Sequence, residues 1–97
     1  MKITLVYKDQ GVERILSKKA EQDPKFYENK INAMKHSYAE TILARKWLED
    51  GLITKENLLL DDEGNTTNFI AEKTLDDETL NKFKNEAQNI YNSIVVK

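Results

Sequence analysis

Apolar and polar positions alternate from the first residues of the chain. Ile3, Leu5 and Tyr7 fall on one side of the run and Thr4, Val6 and Lys8 on the other, the period-two pattern of a half-buried strand. Asp9-Gln10-Gly11 then reads as a type I turn closing on a glycine with positive φ. Val12 to Ser17 would be the return strand, giving a hairpin over 2–17. A helix from Val12 to Gln22 competes with it, because Lys18-Lys19-Ala20-Glu21-Gln22 favours helix by propensity.

The pattern then changes period. Asp23 can N-cap a helix, Pro24 suits its first position and Gly51 can end it, which predicts a helix over 23–50. At about 100° per residue, Tyr27, Ile31, Met34, Tyr38, Thr41 and Leu48 share one face. Phe26 and Ile42 lie at its margins, and Lys25, Glu28, Asn32, Lys35 and Lys46 lie roughly opposite. Arg45 falls within the apolar face, where an unpaired charge is costly to bury. It must reach water, pair with a carboxylate or face a partner. Leu43 and Trp47 point elsewhere, towards the side of His36. Either a hairpin or the last helix covers Trp47, or Leu43 and Trp47 form an exposed binding patch.

Leu58-Leu59-Leu60 and Asn68-Phe69-Ile70-Ala71 flank Asp61-Asp62-Glu63-Gly64-Asn65, predicting a second hairpin over 57–73. A last helix over 76–95 starts at acidic residues suited to the positive end of its dipole. Its apolar stripe is Leu80, Phe83, Ala87, Ile90, Tyr91 and Ile94. The expectation is a small α+β domain spanning 1–97, ordered β-β-α-β-β-α around a long amphipathic helix. The halves echo each other: Leu5 and Leu58, Asp9 and Asp62, Gly11 and Gly64, Asp23 and Asp76, and Tyr38 and Tyr91 share one offset. Two readings stand, convergent turn and cap residues or a duplicated hairpin–helix unit.

Composition narrows the function classes. The length of 97 residues suits one core. Cysteine is absent, which removes disulfides, thiolate chemistry and cysteine-based zinc sites. No apolar run suits a bilayer span, and the N-terminus lacks the apolar region of a secretory signal, so a cytoplasmic protein is expected. Thirteen lysines against two arginines, with nine asparagines and eight isoleucines, match A- and T-rich codons and suggest a low-GC bacterium or its phage.

Charge is distributed unevenly. Between Glu49 and Glu78 ten carboxylates face two lysines, a balance of −8, while the preceding residues sum to +4 and the following ones to +2. Such a surface steers a partner of opposite charge.

Candidate chemistry is sparse. His36 and Glu40 lie one helical turn apart, but no second histidine completes a metal site. Ser37 and His36 project about 100° apart and form no local nucleophile–base pair. The carboxylates of Asp61, Asp62, Asp76 and Asp77 read as solvated turn and helix-start residues. From Asp61 the oxygen-bearing residues Glu63, Asn65, Thr67 and Glu72 follow at calcium-loop spacing. Thr66 stands where such a loop needs glycine, and Asn68 where it needs an apolar residue, so a hairpin is expected. There is no glycine-rich phosphate loop. No catalytic residue, cofactor or metal is assigned.

The resulting expectation is a non-enzymatic protein-binding module. Asp61, Asp62 and Glu63 would form its acidic docking surface, with Trp47, Leu43 and Arg45 as interface residues. Its partner would be a protein with a basic surface, and for a phage or mobile element that could be a host nucleic-acid-processing protein. The alternative is a nucleic-acid-binding accessory or regulatory protein using the basic flanks, Lys18, Lys19, Lys25, Lys30, Lys35, Arg45 and Lys46. Homodimerisation through the long helix or the Trp47 patch fits either reading. No membrane partner is expected.

Overall fold

In the computed structural model, which describes residues Met1–Lys97, β1 (Lys2–Tyr7) and β2 (Gln10–Ile15) form an antiparallel hairpin. Leu5 pairs with Val12, Ile3 with Arg14 and Tyr7 with Gln10. Cross-strand partners share a face, so these six side chains stand on one side of the sheet. Ile3 and Leu5 are buried there.

The turn lies at Lys8-Asp9, one residue earlier than the sequence suggests. Lys8 takes the left-handed conformation (φ 53°), and Gly11 sits inside β2 opposite Val6. A Cβ on Gly11 would come within 3.3 Å of Thr4 Cγ2 and 3.5 Å of Val6 Cγ2. Its glycine therefore serves close strand packing. Gly64 does adopt positive φ (85°), so this pair of aligned glycines does not share one geometry.

Both readings of residues 12–22 hold in part. The return strand ends at Ile15, and α1 (Lys18–Gln22) follows, with Ser17 accepting from the Ala20 N–H at 3.3 Å. The long helix is α2 (Pro24–Glu49). Asp23 Oδ1 accepts from the Lys25 and Phe26 N–H groups at 3.1 and 3.3 Å, satisfying donors that the first helical turn leaves free.

The second hairpin pairs β3 (Leu58–Leu60) with β4 (Thr66–Ile70) in a separate two-stranded sheet. Single 3-10 turns at Lys55–Asn57 and Glu72–Thr74 brace its ends, and the Asn57 amide donates to Thr74 Oγ1 at 3.1 Å. The last helix, α3 (Asp77–Ser93), stops short of its expected end. Ile94 caps it, and β5 (Val95–Val96) joins β1 antiparallel, making a three-stranded sheet of order β2-β1-β5. The molecule is an α+β fold in which α2 packs against α1, α3 and β4. Its 17 buried residues form one cluster, and no helix is long and apolar enough to cross a membrane.

The buried face of α2 rotates along its length. Ile31 and Tyr38 are buried in the first part, then Ala39, Leu43, Ala44 and Trp47. The side expected to be polar is the one that meets α3. Tyr91 donates to Asn32 at 3.0 Å and stacks on His36 with ring centroids 4.2 Å apart. Lys35 Nζ stands 4.3 Å over the same ring. A wheel drawn over the whole helix averages these two faces.

The start of α3 carries a pH prediction. Asp76 Oδ1 accepts from the Thr79 N–H at 2.7 Å. Hydrogen bonding from Thr79, by its side chain and then its backbone, lowers the Asp76 pKa below 3.8. A depressed carboxylate stabilises the fold above its unfolded pKa, and that contribution is lost as pH falls through the folded value. Asp76→Ala is therefore expected to melt lower than the wild type at neutral pH, with the gap closing below about pH 4. Thermal melts across that range check it.

Candidate functional site

The acidic segment is built around β3 and β4. All ten carboxylates between Glu49 and Glu78 belong to exposed residues. Glu72 alone among them is ion-paired, with Lys84 at 3.6 Å, and an exposed pair of that kind adds little to stability.

Within the hairpin turn the three predicted acids divide their roles. Asp61 Oδ1 accepts from the N–H groups of Glu63 and Asn65, both at 2.9 Å, and the backbone of Asp61 bonds to Asn65 and Gly64. Asp61 thus shapes the turn. Asp62 and Glu63 have no side-chain partner within the chain and face solvent, their charge held outward by a turn that Asp61 fixes.

Beside them lies apolar surface the sequence reading did not single out. Leu58 and Ile70 pair across the hairpin and are buried. The register shifts between Leu58 and Leu60, so strict alternation fails and Leu60, two positions on, is 62% exposed. Leu59 is 48% exposed. The uninterrupted run Leu58-Leu59-Leu60 was the available signal, since a strand with one buried face should show polar residues between its apolar ones.

Two of the expected interface residues belong elsewhere. Leu43 and Trp47 are core, 2% and 3% exposed. Helix α3 covers Trp47: its Nε1–H donates to Glu86 Oε2 at 2.8 Å, and its ring meets Phe83 edge-on with centroids 5.2 Å apart. Neither residue can anchor a partner while the fold is intact. Arg45 is exposed, but on a different feature.

That feature is a half-open cleft of about 800 Å³ between β2, α2 and β4. Strand β2 contributes Gln10, Val12 and Arg14 from the inward face of its sheet. Helix α2 contributes Tyr38, Arg45, Lys46 and Glu49, and β4 contributes Asn68 and Phe69. Both arginines of the chain line it, and neither they nor Lys46 is ion-paired. The Tyr38 hydroxyl is buried without a hydrogen-bond partner. Arg14 was not legible in the sequence because only the sheet's register puts it on the wall of the cleft that Arg45 also lines.

No group of three or more histidine, cysteine or acidic side chains is placed to hold a metal ion. No family model, curated protein or solved structure matches this chain.

Proposed function

We propose that the chain is a non-enzymatic protein-binding module that docks through the β3–β4 hairpin onto a basic surface of another protein. One observation carries this reading: Asp62 and Glu63 are exposed and unpaired, at the end of a strand whose Leu59 and Leu60 are also exposed. Charge beside apolar surface is the composition of a docking element, with leucines supplying affinity and carboxylates steering orientation and on-rate. The leucines take over the anchor role expected of Leu43 and Trp47.

In its sharper form, the basic surface is the nucleic-acid channel of a host enzyme, and the hairpin occupies it with carboxylates in place of phosphates. Such an inhibitor or regulator would act in the cytoplasm of a bacterium carrying a phage or mobile element. The uncompensated charge of the middle segment motivates that form.

The test compares immobilised wild type with two variants, Asp62→Asn/Glu63→Gln and Leu60→Asn, against lysate of the native host. A protein held by the wild type and eluted by salt should be retained at least about tenfold less by each variant. Equal capture by all three chains would reject the hairpin as the docking element.

A further inference from the structure

The cleft between β2, α2 and β4 lies outside the docking hairpin's acidic turn and has opposite charge. We propose that it is a binding site for a small phosphorylated ligand of nucleotide size, a nucleoside monophosphate, with the phosphate held by Arg14 and Arg45.

The argument begins with charge. Arg14, Arg45 and Lys46 stand against Glu49 alone, leaving a local excess close to the charge of a phosphate monoester. Guanidinium groups match phosphate oxygens with paired, planar donors. The chain has thirteen lysines and two arginines, and both arginines converge here from elements far apart in sequence. Arg14 spends one donor on the Glu13 carbonyl at 3.1 Å, while the Arg45 guanidinium has no partner within the chain. Placing Arg14 on the inward face of an edge strand also protects that edge from pairing, but this does not account for Arg45 lining the same cleft.

The remaining walls suit the rest of such a ligand. Phe69 is 37% exposed, leaving ring surface on which a planar base can stack. Glu49 can accept from ribose hydroxyls. A volume of about 800 Å³ lies within the range of small-molecule sites.

A second, independent observation lies at the same place. Tyr38 is 92% buried by its 8% exposure, and its hydroxyl has no partner. A buried polar group of this kind is uncommon in a finished fold. Tyr38 lines the cleft with its hydroxyl just beneath the surface, so a small shift of the wall on binding gives that hydroxyl a ligand oxygen, or a water carried in with the ligand, as its missing partner.

The experiment is a titration of the full chain, followed by amide shifts, with AMP, inorganic phosphate, adenosine and a short single-stranded oligonucleotide. AMP should give saturable shifts at residues 10–14, 37–49 and 68–69, with affinity at least about tenfold above phosphate or adenosine alone. Arg14→Ala and Arg45→Ala should each weaken AMP about tenfold, and Arg45→Lys should recover only part of the loss. Tyr38→Phe should weaken AMP without lowering the melting temperature, a combination that a purely structural tyrosine would not give. Absence of saturable shifts, or affinity unchanged in both arginine variants, overturns the site. Equal affinity for phosphate and AMP overturns the nucleotide assignment, and tighter binding of the oligonucleotide overturns the small-molecule one.

Discussion

Trp47→Ala should lower the stability of the fold by about 3–5 kcal/mol, the usual range for truncating a buried aromatic side chain. A domain of this length has roughly 5–15 kcal/mol in total, so the variant should melt at least about 15 °C below the wild type. Two losses add. The cavity left beside Phe83 removes the edge-on ring contact, and Glu86 loses the Nε1–H that now donates to it at 2.8 Å. Trp47→Phe largely separates them, since it keeps most of the apolar volume while removing the hydrogen bond. It should cost about 1–2 kcal/mol. Thermal melts of both variants check the pair. Near-wild-type melting of Trp47→Ala would return Trp47 to the surface and restore it as an interface candidate.

Removing Val95–Lys97 should cost at least about 2 kcal/mol, from the two Thr4–Lys97 backbone hydrogen bonds at roughly 1 kcal/mol each together with the β1–β5 ladder beside them, and should also make the chain prone to associate. The Thr4 N–H donates to the Lys97 carbonyl at 2.9 Å, and the Lys97 N–H donates to the Thr4 carbonyl at 2.8 Å. Val95 and Val96 pair with Val6 and Leu5. Without them β1 becomes an open edge carrying Leu5, the most deeply buried large side chain, and open edges template pairing between chains. A lower denaturation midpoint and concentration-dependent sedimentation are expected. Val95→Ser, on an exposed position of the same strand, should leave both unchanged. An unaltered midpoint after the deletion would mean that β5 contributes nothing to the sheet.

These effects mark where the sequence was and was not legible. The ends of α2 were readable because Asp23-Pro24 and Gly51 are local chemistry: a cap, a pre-set φ and a residue at φ 75°. The second hairpin was readable because Asp61 and Gly64 build its turn from their own backbone bonds. The first turn was misplaced because Lys8 accepts the left-handed conformation that a glycine three positions on invited. Strand β5 was hidden inside the apolar stripe of α3, where Ile94 fits a helical period but leads the chain back to β1.

The candidate site divides in the same way. A contiguous run of carboxylates is visible in any sequence, so the hairpin emerged as a surface before the fold was known. The exposure of Leu60 depends on a register shift, and the presence of Arg14 and Arg45 in one cleft depends on how the first sheet is placed relative to α2. Neither is written in local pattern. Trp47 was ambiguous for a related reason, because α2 is apolar on two sides near its end and only the position of α3 decides which one solvent reaches.

The most direct test of the docking hairpin is amide hydrogen exchange on the complex with whatever protein the wild-type chain captures and the hairpin variants release. Exchange should slow across Leu58–Ile70, most at the turn from Asp61 to Asn65, and stay unchanged along α1 and the first half of α2. Protection confined to those basic elements, with the hairpin exchanging as in the free chain, would contradict the account.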